Sequence, residues 1–319
     1  MITNQKLLCG LLLVSGLNCT SNTDSTENEK TFEFLKNERG DTIGQRTIKK
    51  QHGFTSKDGK VIIELQYDYI ADFENGIAFI GIGKFIKNDS YETFEGKTGI
   101  IDSTGRILFS PQFDDVELYD RKIGVYRKNS KYGFFKINGT FLTDSIFEDA
   151  ELFYHDLARV KMKNKYGFID TTGHIAIPCR FDFADDFQKN KIAVVAVHGR
   201  YGIIDSKGAY VLHPVYEKIE PFDADIAYFK DKELFGVLNY KGEVVQKAIF
   251  KDKVYVTDNY ERVCNVNNKW GLIDETGRIV IEMQYDKIRP DPERTKVSFW
   301  TGDKETSIEL IDGRLKTSN

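Results

Sequence analysis

Carboxylates are the side chains through which this sequence has most chemistry at hand. A glycan hydrolase needs two of them at one cleft, one kept protonated by a raised pKa. Asp68, Asp114, Glu148, Asp182, Glu217 and Asp286 recur at regular intervals, each beside an aromatic residue. Recurrence points to a structural task, such as accepting hydrogen bonds in turns, because a catalytic pair should occur once. Asp185, Asp186, Asp223 and Asp225 fall outside that series and are the candidate acids for such a reaction. The histidines are His52, His155, His174, His198 and His213; they form no HxxxH or HExxH pair, so no metal site is expected. Cys179 and Cys264 lie at unrelated places and are expected to be free buried thiols. Gly81-Ile82-Gly83 lacks the third glycine and the helix of a dinucleotide loop, and no G-x-S-x-G, phosphate loop or calcium loop is present. No catalytic residue, cofactor or metal is therefore assigned.

The elements that would position these residues come from a repeat. Its clearest copy is Lys269-Trp270-Gly271-Leu272-Ile273-Asp274-Glu275-Thr276-Gly277-Arg278-Ile279-Val280-Ile281. The first glycines of seven copies are Gly53, Gly99, Gly133, Gly167, Gly202, Gly236 and Gly271, spaced by 46, 34, 34, 35, 34 and 35 residues. A second glycine follows each after six residues, at Gly59, Gly105, Gly139, Gly173, Gly208, Gly242 and Gly277. Eight further on stands an aromatic: Tyr67, Phe113, Phe147, Phe181, Tyr216, Phe250 or Tyr285. Another aromatic comes six later in five copies, as Phe73, Tyr119, Phe153, Phe187 and Phe222.

Each copy reads as a hairpin plus a strand. The first strand runs through the aromatic-Gly-apolar stretch. The second follows the second glycine, and the third follows the second aromatic. Between the first two lies Asp-x-x-Gly, at Asp102–Gly105, Asp170–Gly173, Asp205–Gly208 and Asp274–Gly277. Asp opens such a turn by accepting backbone hydrogen bonds, and Gly closes it with positive φ. Lys136 and Asn239 replace the Asp in copies three and six, and Asp291 replaces the second aromatic in copy seven, within an expected terminal cap. A unit of about 34 residues cannot bury both of its faces alone, so neighbours must stack, with the aromatics as the interlocking layer. The expected fold is all-β: seven antiparallel hairpin-plus-strand repeats over residues 52–295, as a propeller-like ring or an open superhelical solenoid. Strands at Thr31–Leu35 and Lys296–Trp300 would complete a ring, whereas 34 residues is short for a four-stranded blade. Residues 31–51 form an N-terminal strand region and 296–319 a C-terminal strand or cap. The first interval is 12 residues longer than 34, and the polar, aromatic-dotted Gly83–Lys97 is expected to be a binding loop.

These spacings resemble those of the WG-repeat family, named for the pair that stands here as Trp270-Gly271. The other copies hold His52, Thr98, Tyr132, Tyr166, Tyr201 and Phe235 at the Trp position. The resemblance covers about residues 50–290 and implies a bacterial β-repeat module without an assigned general activity.

Ahead of the repeats, Met1–Lys6 carries one Lys, and Leu7–Leu17 is mostly apolar. That length suits the apolar core of an export signal, whereas a membrane span needs about 20 residues. Asn18-Cys19-Thr20 and the polar Ser21–Lys30 follow. The order resembles a bacterial lipoprotein leader, which implies a lipoprotein-like signal region over residues 1–19, with Cys19 as the lipid-modified first residue after cleavage, and a flexible tether over 20–30. Gly16 and Asn18 depart from the usual leader pattern; an ordinary cleaved signal is the alternative.

Composition agrees with the repeat. Phe (23), Tyr (16) and Gly (26) abound while Pro (6) is scarce, which favours strands and tight turns. A formal charge of −4 with no basic patch argues against nucleic acid or an anionic membrane surface as partner. The expectation is an exported, non-catalytic scaffold in the cell envelope, held by an N-terminal lipid or free in the periplasm, binding a protein, peptide or glycan. The alternative is an exported glycan hydrolase using the off-pattern acids.

Overall fold

The computed structural model describes residues 31–36, 42–48, 51–56, 61–87, 92–119, 122–223, 225–257 and 260–316. The export signal, Cys19, the tether and Gly59 lie outside them. All described regular structure is β. The chain divides into two compact units, residues 1–152 and 153–319.

The described strands form eight four-stranded antiparallel sheets, each a simple meander. The fifth sheet shows the plan. A two-residue opening strand, Phe183–Ala184, is followed by Ile192–Val197, then Arg200–Asp205, then the closing strand Tyr210–Tyr216. The repeat of the sequence is out of phase with this sheet. One copy supplies the third and closing strands of one sheet and the opening and second strands of the next. Phe181 ends the closing strand of the fourth sheet, Ile175–Phe181, and Phe183 opens the fifth. Seven copies thus yield eight sheets. The first is completed by Thr31–Lys36 and Thr42–Ile48, the last by Lys304–Ile311 and Arg314–Leu315.

One expectation is corrected here. Each copy holds four strands rather than three, because the opening strand is as short as two residues; 34 residues therefore suffice for a four-stranded sheet. Thr31–Lys36 pairs with Thr42–Ile48, and Lys296–Thr301 pairs with Lys304–Ile311, each within its own sheet.

The two glycines have separate physical tasks. The residue before the first glycine pairs across the sheet with the first aromatic, as in Tyr166 with Phe181 and Trp270 with Tyr285. Two residues along, Phe168 pairs with Ile177, so the closing strand carries extra residues opposite Gly167. A Cβ on Gly167 would lie 2.6 Å from the Ile177 carbonyl oxygen and 2.6 Å from the Cys179 nitrogen. Only glycine lets the bulged strand pass so near. The second glycine closes the hairpin at positive φ, for example 91° at Gly173. Its Asp does as expected: Asp170 Oδ1 accepts from the backbone nitrogens of Thr172 (2.8 Å) and His174 (3.2 Å). Asn239 accepts the equivalent pair from Lys241 and Glu243, both at 3.0 Å, so copy six keeps the turn and loses only the charge. In copy three, Asn138 takes over and accepts from the Thr140 nitrogen at 3.2 Å.

The core is a series of small apolar layers. In the second unit one joins Phe168, Phe181, Phe187, Val195 and Ile204. In the first unit another joins Ile100, Phe109, Phe113, Tyr126 and Phe135. Each fully buried Phe contributes roughly 1.5–3 kcal/mol of transfer free energy.

Candidate functional site

Most of the recurrent acids join neighbouring strands: Asp114, Glu148, Asp182 and Asp286 pair with lysines, and Asp68 accepts from the Gly83 nitrogen. Asp182, just past the closing strand of the fourth sheet, is ion-paired with Lys165 of that sheet's third strand. Its other oxygen accepts from the His198 nitrogen, 2.6 Å away, in the hairpin of the fifth sheet. Asp286 repeats this with Lys269 and with the Gly302 nitrogen at 2.8 Å. Asp114 is paired with Lys97, and Glu148 with Lys131 at 3.8 Å. The lysine hydrogen bond, with help from the turn nitrogens, holds the Asp114, Asp182 and Asp286 carboxyls below the ordinary aspartate range. These groups are exposed to solvent, so each pair contributes little by itself.

The off-pattern acids divide. Arg159, on the second strand of the fourth sheet, Leu157–Met162, reaches Asp186 with Nε 3.1 Å from Oδ1, and donates to the Ala184 carbonyl at 2.9 Å. Asp185 beside them is half-buried. Burial pushes its carboxyl up to about 6, against the pull of Arg159 and with the push of Asp186. Asp225 accepts from Asn190 Nδ2 at 3.1 Å, and Asp223 makes a backbone bridge with Ile226. The structure also shows that Asp185 is less irregular than its surroundings suggest. It follows the recurrent acid by three residues, as Glu117, Glu151 and Glu220 do. Its backbone nitrogen donates to Val194 as that of Glu220 donates to Tyr228, each at 2.8 Å.

A second polar cluster was not singled out by spacing. Tyr228 stands on the second strand of the sixth sheet, Ile226–Asp231. Its hydroxyl donates to Glu261 Oε2 at 2.5 Å. Lys253 Nζ lies 4.0 Å from the centre of the Tyr228 ring and 2.9 Å from Glu220 Oε2. Burial first, and the Glu261 charge second, push the Tyr228 phenol far above its ordinary value. Two of the four, Glu261 and Lys253, sit where other copies are small or apolar. Glu261 pairs with Ile273 as Ala158 pairs with Ile169, Ala193 with Ile204 and Ala227 with Leu238. Lys253 follows its opening aromatic by three, at the place of the buried Ile70, Ala184, Ile219 and Ile288. Comparing copies at fixed offsets is the signal that reveals them.

The remaining candidates stay apart. His52 pairs with Tyr67, and burial lowers its pKa. His155 and His198 occupy positive-φ turns, His174 contacts Thr172, and His213 lies against Tyr210. Cys179 and Cys264 are not joined by a disulfide; Cys264 is buried as expected, whereas Cys179 is only partly so. Among the described residues no group of three or more His, Cys, Asp or Glu is placed to hold a metal ion.

The long first interval is a hairpin, which corrects the expected loop. The second and third strands of the second sheet, Ile77–Lys87 and Glu92–Asp102, run to 11 residues each, against six in the fourth sheet. Pairing continues without a shift to Lys87 opposite Glu92. Phe85 and Phe94 face each other across it, ring centres 5.3 Å apart, and Tyr69 joins them at 5.8 and 5.4 Å. Phe85 is 46% exposed and Ile82 52%. The hairpin thus carries exposed apolar side chains on both of its faces, beyond the repeated core.

Fold and site define a tandem β-repeat protein whose repeated acids are structural. The family described as WG containing repeat matches six segments, residues 53–84, 99–132, 132–166, 166–200, 201–234 and 270–293. The chain belongs to that family. The match passes over residues 235–269, which hold Lys253 and Glu261. No curated protein matches the chain. Among solved structures it is similar to a eukaryotic initiation factor, at 8% identity over 88% of this chain and 84% of that one, with a TM-score of 0.36. It is also similar to BamB from Moraxella catarrhalis, at 12% identity over 86% and 95%, with a TM-score of 0.31. Virginiamycin B lyase from Staphylococcus aureus matches at 12% identity over 76% and 94%, with a TM-score of 0.28. At such scores these likenesses carry no argument about function.

The Tyr228 cluster gives a stability prediction. Tyr228→Phe leaves the Glu261 carboxylate without its donor and should destabilise the chain by about 1–3 kcal/mol. Adding Glu261→Ala restores the small residue of the other copies and should recover most of that loss. Denaturant midpoints of the two single variants and the double variant check this; purely additive losses contradict it.

Proposed function

We propose that this chain is a non-catalytic binding scaffold of the cell envelope, taking a protein, peptide or glycan. The observation that carries this reading is the aromatic-bearing hairpin of the second sheet. It adds exposed apolar surface outside the repeated core, where folding alone gives it no task. Four of the recurrent carboxylates, Asp114, Glu148, Asp182 and Asp286, are by contrast occupied by lysines, which supports a structural role for the series. Attachment would come through a lipid on Cys19, with the protein facing the envelope; a soluble periplasmic or secreted form is the alternative.

One observation favours a second reading, an exported glycan hydrolase. Asp185, with its carboxyl pushed up to about 6 beside Arg159 and Asp186, is shifted in the direction a general acid needs. Against it stands the recurrence of an acid at that offset in three other copies, which fits a structural position better than a unique catalytic one.

Incubating the purified chain with sedimentable cell-wall glycan and with soluble polysaccharides separates the two. The scaffold reading expects retention of the chain or of a ligand without release of reducing ends. Release that disappears in Asp185→Asn would reverse the assignment. For the anchor, labelled palmitate should enter the wild type and not Cys19→Ala when both are expressed in a diderm bacterium; equal labelling, or none, rules out lipid attachment at Cys19.

A further inference from the structure

The second-sheet hairpin is built with an open edge. Its opening strand, Tyr69–Ile70, pairs with Gly81 and Ile80. Asp68 donates its backbone nitrogen to the Gly81 carbonyl and Ala71 donates to that of Phe79, each at 2.9 Å. Odd-numbered residues of Ile77–Lys87 therefore aim their backbone groups at that side, and the period of two carries the direction on to Gly83, Phe85 and Lys87. Asp68 Oδ2 accepts from the Gly83 nitrogen at 2.9 Å. Beyond it the Gly83 carbonyl, both backbone groups of Phe85 and the Lys87 nitrogen face outward, with no described strand beside them.

Natural sheets protect such an edge with a bulge, a proline or a charge turned inward. Here the register runs unshifted to its end, and no proline occurs in either strand. Lys84, the charge in the middle of the edge strand, is spent on Glu95 across the hairpin at 3.4 Å. The aromatic group stands on the same face as Gly81, Gly83 and Gly96. A Cβ on Gly81 would lie 2.6 Å from Phe94 Cζ, so the glycines are what allow the ring to lie down on the strands.

We propose that this edge, from Gly83 to Lys87, takes an extended peptide segment by strand addition, with an apolar side chain of the peptide set against Phe85 and its two neighbours. This rests on the scaffold reading and names its ligand class. A strand is the occupant because the edge offers alternating donors and acceptors at strand spacing, in line with the ladder that Tyr69–Ile70 begins. A sugar is the poorer fit: Phe85 meets Tyr69 at 78° and Phe94 at 62°, so the rings meet edge to face and present no flat platform.

The test is selection of phage-displayed random 12-residue peptides on the full chain, followed by affinity measurements with the enriched peptide. N-methylation of the peptide backbone should weaken binding about tenfold or more at one alternating set of positions and leave the other set unaffected. Lys87→Pro removes one outward N–H without touching the ladder to Glu92–Asp102, so it should keep the thermal midpoint while weakening binding about tenfold. Phe85→Ala should weaken it as well. Enriched peptides that ignore Lys87→Pro and Phe85→Ala overturn the edge site and leave the scaffold reading standing. Self-association of the chain that Lys87→Pro abolishes overturns it in favour of a second copy. Binding of oligosaccharides that Phe85→Ala abolishes, without enrichment of any peptide, overturns it in favour of a glycan. If neither peptides nor the envelope glycans bind, the edge proposal and the scaffold reading both fail.

Discussion

Six of the eight described sheets close by laying a bulged strand against a glycine. Without a side chain at Gly167, the backbone around Ile177 and Cys179 comes within contact of the third strand, and Phe181 arrives opposite Tyr166. The aromatic pair then fixes where the strand ends. One residue later the chain is already in the next sheet, as Phe183 beside Ala196. Asp182, the single residue between them, holds Lys165 behind it and the His198 nitrogen ahead. Stacking of sheets is thus built into the covalent repeat, because every copy owns half of two sheets. Such an array has mainly nearest-neighbour contacts, and its stability is a sum of similar local terms.

A fold of this kind makes departures from the repeat informative. Other copies hold a buried Ala at the second position of the second strand; Glu261 at that position must be compensated, and the Tyr228 hydroxyl is its donor, with Lys253 over the Tyr228 ring. A satisfied polar cluster between otherwise apolar layers distinguishes one junction from its near-identical neighbours, a use of buried polarity seen where register must be specified. The hairpin of the second sheet is the opposite kind of departure. It leaves the packed layers untouched and extends outward from them.

Much of this was legible in the residues. Seven glycine pairs, the aromatics at their fixed distance and the Asp-x-x-Gly turns gave the strand order of each copy, because each is a local requirement of backbone geometry. The two-residue opening strands were not legible: Phe183–Ala184 or Lys218–Ile219 is too short to show any alternation. Missing them hid the phase between repeat and sheet. Gly83–Lys97 read as a loop from its polarity, yet Gly83 faces Gly96 and Phe85 faces Phe94, so the ladder simply continues. The contact between Tyr228 and Glu261 spans 33 residues, and no local pattern announces it. Asp185 was set apart by its neighbours in sequence, whereas its offset from the recurrent acid ties it to Glu117, Glu151 and Glu220.

The most direct measurement is a double-mutant cycle between Phe235 and Phe250, the cross-strand pair of the copy that diverges most. Phe235→Leu, Phe250→Leu and the double variant are compared by denaturant unfolding. If the bulged crossing places these rings together, the losses should fall short of additivity by about 0.5–1.5 kcal/mol. Additive losses, within about 0.3–0.5 kcal/mol, would mean the rings do not meet and that the closing strand does not cross at the glycine.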